Sequence, residues 1–197
     1  MIRYLPAAVL LAAVVGCEKP QTQVLPAGMT AEQVADYRSK LLLDAEPSEA
    51  KTVIEVRDAL KPSEEDAEDS DAAPTEVAVV GVIGGMPNPY GDAMPQFPWV
   101  DGQAIFSLAD PTTAAEFEGE HAHAPGEECM FCAGKARDLV DTVALVTFPG
   151  DEDKPIAARS DLLLGLKPGT KVVVTGIGSV ELGSLRIVAN GVFVQPQ

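Results

Sequence analysis

From Thr75 to the C-terminus the sequence predicts a mainly β fold: a five-stranded barrel with one helix between its third and fourth strands. Three observations predict it. Five apolar, β-branched runs recur at short spacing. Gly-Gly, Asp-Pro, Pro-Gly and Leu-Gly pairs punctuate them. One Leu-rich helical phrase interrupts the series, after the third run.

The elements follow in order. "TEVAVVGVIGG" is a first strand ended by Gly84-Gly85, and "QAIFSLADP" is a second that stops at Asp110-Pro111. "DTVALVTFPG" is the third, closed by Pro149-Gly150. In "AARSDLLLGLKPG" the cluster Leu162, Leu163, Leu164 and Leu166 reads as a short helix halted by Pro168-Gly169. "TKVVVTGIGSVELGSLRIVANGVFVQ" is a pair of strands joined around Leu182-Gly183. Gly81, Gly84, Gly176 and Gly178 suit the sharp coiling of barrel strands, where a bulge or kink favours a residue without Cβ.

Upstream, "TAEQVADYRSKLLLDA" opens with Thr30 and has Gln33 three places on, a capping-box spacing. Val34, Tyr37, Leu41 and Leu42 then recur at helical intervals. "SEAKTVIEVRDALK" places Val53, Val56 and Leu60 on one helical face, with Ser48 as its cap. These stripes are too thin for an independent core. "PSEEDAEDSDAAP", residues 62–74, carries like charge and no large apolar residue, the composition of a solvated linker.

Five strands with a helix between the third and fourth is the element order of the OB-fold, a Greek-key barrel. "VAVVGVIGG", "AIFSLADP", "LLLGLKPGTKVVVTGIG" and "LRIVANGVFV" resemble the strand phrases of bacterial OB-fold domains, including those similar to tRNA-anticodon-binding domains. That resemblance implies a binding module. It does not carry nucleic acid with it. The chain has a formal charge of -16, and from Thr75 onward 7 Lys and Arg face 16 Asp and Glu. Oligonucleotide binding needs a basic footprint, and anionic lipid heads are repelled by the same field.

The chain opens "MIRYLPAAVLLAAVVGCEKP": one Arg, an apolar run from Leu5 to Val15, then Gly16-Cys17, the pattern of a signal peptide. The run is short of the roughly 20 residues that cross a bilayer. "VVGC" resembles a bacterial lipobox, which implies cleavage after residue 16 and acylation of Cys17. A plain secretory signal with a coincidental cysteine is the competing reading. Glu18 after the cysteine, where Asp is the inner-membrane retention residue, leans toward the outer membrane. The expected organisation is then a signal peptide over 1–16, a tether over 17–29, a helical segment over 30–61, the linker over 62–74 and the OB domain over 75–197. Such a protein sits in the bacterial cell envelope, lipid-anchored and facing the periplasm, where unprotected neighbouring cysteines oxidise.

Two insertions decorate the barrel. "MPNPYGDAMPQFPWVDG", residues 86–102, has four prolines and the chain's single Trp. One reading plugs the core with its aromatic residues. The other makes Tyr90, Phe97 and Trp99 a partner-docking loop, whose rigidity lowers the entropy cost of binding. The second insertion, within 116–138, holds "HAHAPGEECMFC". His121 and His123 alternate onto one side of an extended segment, Pro125-Gly126 turns the chain back, and Cys129 and Cys132 form a C-x2-C pair. Four N/S ligands make a closed, structural zinc site. A helix beginning after Cys132, at "KARDLV", would favour thiolate, as would Lys135 close by. Glu116, Glu118, Glu120, Glu127 and Glu128 would draw a cation in. A disulfide or redox pair at Cys129 and Cys132 stays open, as does copper, for which Met130, Met86 and Met94 supply soft sulfur.

For an enzyme, both histidines would have to leave the metal-like loop, and "GVIGG" lacks the helix a dinucleotide loop must open. The expectation is therefore a non-enzymatic, membrane-anchored OB-fold module with a metal-stapled loop and a protein partner. The alternative is a periplasmic copper-handling or thiol-disulfide redox protein that uses Cys129 and Cys132.

Overall fold

The computed structural model describes residues 24–61, 75–118 and 130–196. Its first helix, α1 (Ala31–Leu41), begins as its sequence predicts: the Thr30 hydroxyl accepts from Gln33 N–H, and the Gln33 side chain accepts from Thr30 N–H. Val34 is its buried residue, with Tyr37 and Leu41 packed at the margin of the core.

The second helix differs from expectation. Lys51–Thr52 is a short strand, β1, and helix α2 (Val53–Leu60) starts after it with Thr52 as its cap, not Ser48. Thr52 wins because Glu55 stands three residues on and returns the second bond of the box to Thr52 N–H. Ser48 instead lies in a turn before Glu49, whose φ is +60°.

The barrel follows: β2 (Thr75–Ile83), β3 (Ile105–Ala109), β4 (Val143–Thr147), β5 (Lys171–Glu181) and β6 (Ser184–Val194). The sheet order is β1-β2-β3-β4-β6-β5, and β2 also pairs with β5, which closes the five strands. The β4–β6 pair is parallel and the other barrel pairs are antiparallel. This is an OB-fold-like Greek-key barrel. The helix between its third and fourth strands is α5 (Ser160–Leu164), which ends at Gly165 in the left-handed conformation rather than at Pro168-Gly169.

Two glycines show why the strands coil. At Gly176 the β5–β6 register shifts, and a Cβ there would run into the Val188 carbonyl. At Gly81 a Cβ would lie 2.5 Å from Leu108 Cγ, so β2 crosses β3 closely only because that atom is missing.

The core joins barrel residues Val79, Ile83, Phe106, Leu108, Val146 and Ile187 to Leu163 and Leu164 of α5 and to Val34, Val53 and Val56 of the N-terminal helices. Those helices dock on the barrel. Leu42 bridges to Val192 and Leu43 N–H donates to the Val192 carbonyl at 2.9 Å. Arg38 donates to the carbonyls of Leu163 at 2.7 Å and Leu162 at 3.3 Å, satisfying groups that the end of α5 leaves open.

Two short helices lie between β3 and β4. Asp110-Pro111 does more than stop a strand: Asp110 caps α3 (Pro111–Ala115), with proline at the first helical positions. Helix α4 (Met130–Asp138) begins before Cys132 rather than after it.

Candidate functional site

Alternation along β3 and β4 divides their side chains between two faces. Phe106, Leu108, Ala144 and Val146 enter the main core. Ile105, Ser107, Ala109, Val143, Leu145 and Thr147 belong to the other face. This is the strand 2–3 face on which OB-folds hold ligands, and here the chain covers much of it with its own insertions.

The loop before β3 covers one part. Its backbone pairs along the edge of β3: Val100 N–H donates to Ile105 and Ser107 N–H donates to Pro98, at 3.2 and 2.8 Å. Asn88 braces the loop, its amide donating to the Gly91 and Met94 carbonyls and its oxygen accepting from Tyr90 N–H. Ser107 is fully buried, with its hydroxyl 3.6 Å from Met94 Sδ. Of the three aromatic residues expected to dock a partner, Trp99 faces inward. It is 6% exposed, belongs to the main core and stacks obliquely on Phe106, which stacks in turn on Phe148. Phe97 and Tyr90 are half-buried against each other, with ring centroids 6.2 Å apart. The loop is a plug.

Helix α4 covers the next part. Cys132 and Ala136 pack with Met86, Phe117, Ala109 and Val143 in a second apolar cluster, bordered by Phe97 and Leu139. Cys132 is 5% exposed. Lys135, in the same helix, pairs with Glu116 at 2.7 Å and lies 5.4 Å from the centre of the Phe117 ring. Glu116 is thereby committed to a protein cation.

Of the predicted ligand set, only Cys132 can be placed. His121, His123 and Cys129 lie outside the described residues, as does the expected lipidation site Cys17. Among the described residues no three His, Cys, Asp or Glu side chains come together to hold a metal ion. None of their helices is long and apolar enough to cross a membrane.

Sequence reasoning missed a second polar centre beneath α2. Asp110 is 1% exposed and accepts from Ile54 N–H at 3.0 Å, from Thr112 N–H at 2.9 Å and from the Thr112 hydroxyl at 2.7 Å. Burial opposes its ionisation, but these bonds and one from the Thr52 hydroxyl prevail and hold its carboxyl below the ordinary 3.8. Close by, Arg57 NH1 donates to the carboxylate and to the carbonyl of Asp141, both at 2.6 Å, while its other nitrogens reach Asp58. Among the described residues no buried side-chain polar atom of this centre lacks a hydrogen-bond partner, so it reads as a clamp between α2 and the barrel. The capping signals of Thr52 and Asp110 were legible, but not their meeting.

Comparison with protein-family models, with curated proteins and with solved structures returns no match to this chain.

Proposed function

We propose that this protein is a lipid-anchored, periplasm-facing OB-fold binding module without catalytic activity, in which His121, His123, Cys129 and Cys132 hold a zinc ion that staples the 116–138 segment to the barrel. One observation carries the reading: Cys132 is fixed within the apolar contact between α4 and the outer face of β3 and β4. A structural zinc is closed by four protein ligands, whereas a catalytic zinc keeps a position open to substrate. Zinc takes cysteine as thiolate, and a bound dication holds the sulfur in that form. The covered β3–β4 face and the charge of -16 both disfavour an oligonucleotide ligand. Lipidation of Cys17 would supply the anchor, since each buried methylene of an acyl chain contributes about 0.8 kcal/mol.

The test is elemental analysis of protein purified without added metal, paired with a thiol count before and after chelation. About one zinc per chain, with two thiols released by the chelator, is the expected result. Absence of metal together with an intact disulfide ends the proposal. The second reading, a copper-handling protein, is favoured by Met86 sharing a cluster with Cys132, because soft sulfur suits Cu(I). Copper that passes to an acceptor chelator would select it.

A further inference from the structure

We infer that Asn190-Gly191 in β6 is a site of self-modification, where the chain closes a succinimide that water then opens, and that the docked Leu43 guards it. The chain has two asparagines, and the residue after each decides its chemistry. Asn88 precedes Pro89, which has no N–H with which to attack. Asn190 precedes a glycine, whose missing Cβ leaves the approach of its nitrogen to the asparagine side chain unhindered. That glycine is not exchangeable. A Cβ on Gly191 would lie 2.8 Å from Leu43 Cδ2 and 2.9 Å from Thr175 Oγ1, so packing against residues 42–43 requires its absence.

Asn190 is exposed and lies at the bulge of β6: the register passes from Ala189 opposite Gly176 to Gly191 opposite Thr175 and skips it. The Thr175 hydroxyl donates to Asn190 Oδ1 at 2.7 Å, which makes the side-chain carbonyl carbon more electrophilic. Gly191 itself is buried, with Leu43 packed against it and Leu43 N–H donating to the Val192 carbonyl at 2.9 Å. Ring closure needs the Gly191 nitrogen deprotonated and swung toward Asn190 Cγ, so it occurs when this edge of β6 opens. The nitrogen gives its proton to base and bonds to Cγ as ammonia leaves. Water that cleaves the new bond leaves an aspartate. Water that cleaves the original peptide bond leaves an isoaspartate, whose backbone runs through Cβ and is longer. Either product adds a carboxylate, and the isoaspartate displaces Val192 from the register that receives Leu42 and Leu43. The product therefore loosens the guard that slowed its formation.

The experiment holds the full chain in mildly alkaline buffer and follows both asparagines by peptide mass mapping, with isoaspartate counted by an isoaspartyl methyltransferase. Asn190 should convert and Asn88 should not, and the folded chain should react more slowly than the urea-unfolded one. Leu43→Ala should convert severalfold faster than wild type. Because that variant can also lose structure, wild type is measured in urea below its unfolding transition as well. There the exchange rate of the Leu43 amide and the conversion rate of Asn190 should rise in step. In converted wild type the Leu43 amide should exchange faster than in fresh protein. A folded chain left unconverted, both as Leu43→Ala and in mild urea, overturns the site. Equal rates for folded and unfolded chain, or conversion that ignores Leu43 exchange, overturn the guard.

Discussion

Asp110 joins segments that are distant in sequence: it caps α3 and fixes the start of α2, 56 residues upstream, through Ile54 N–H. An asparagine there keeps the shape but loses the charge, and its NH2 must face a donor. Asp110→Asn should cost about 1–3 kcal/mol near neutral pH, read by chemical denaturation. Because the folded pKa lies below the unfolded value, the carboxylate's contribution is complete above 3.8 and is lost as the pH falls through the folded value. The gap between wild type and variant should therefore close in acid; a constant gap would sink the assignment. Leu182 is the opposite case. It stands fully exposed at the tip of the β5–β6 hairpin with φ +50°, followed by Gly183 at +82°. A hairpin turn with both residues at positive φ prefers Asn-Gly, and leucine pays a steric cost there. Leu182→Asn should raise stability by about 0.5–1 kcal/mol, seen as a higher melting temperature; an unchanged or lower one contradicts the strain argument. The turn's place was legible from Leu-Gly. Asp110 was half legible: Asp-Pro announces a boundary, but nothing local announces Ile54.

At the scale of elements, the barrel strands were legible because branched apolar runs and their breaking pairs are local signals. Boundaries set by capping competition were less so. Ser48 and Thr52 are both acceptable caps by residue type, and Glu55 decides between them. Gly165 ends α5 before Pro168 can. The face of α2 was read from Val53, Val56 and Leu60, which leaves out Arg57. It is in fact 7% exposed and holds α2 to the 3-10 turn Val140–Thr142 before β4, through Asp141. Arg57→Ala removes charge-assisted bonds and a packed stem, so unfolding free energy should fall by about 1.5–3 kcal/mol. Asp58→Asn offers the contrast. Asp58 is half exposed and its pair with Arg57 is screened, so its loss should change stability far less than the loss of Arg57 does. Similar losses from both substitutions would show that α2 is held by apolar packing and general charge, not by the Asp141 clamp.

For the whole molecule, the linker composition of 62–74 suggests a boundary between helices and barrel, yet the packing crosses it. The helical stripes looked too thin for a core because they complete someone else's: Val34, Val53 and Val56 are all at most 4% exposed within the barrel's own core cluster. Each buried valine contributes roughly 1.5–3 kcal/mol, against a total stability of about 5–15 kcal/mol for a typical domain. Polar ties add to this, since Arg38 satisfies the Leu162 and Leu163 carbonyls and Ile54 N–H satisfies Asp110. Removing residues 24–61 would leave those groups open and expose the side of β5 and β6 that α2 covers. The fragment 75–197 should therefore unfold at a much lower temperature than residues 24–197, with a broadened transition. A separate 24–61 peptide, added in excess, should restore part of the loss, because binding to the folded state alone raises its apparent stability with concentration. A fragment that melts sharply at the temperature of the longer chain would mean that the helices only rest on a self-sufficient barrel. Failure of the added peptide to raise a lowered melting temperature would instead place the loss in chain connectivity. The two measurements together separate docking energy from tethering, which neither the linker's composition nor the helical periodicity can do.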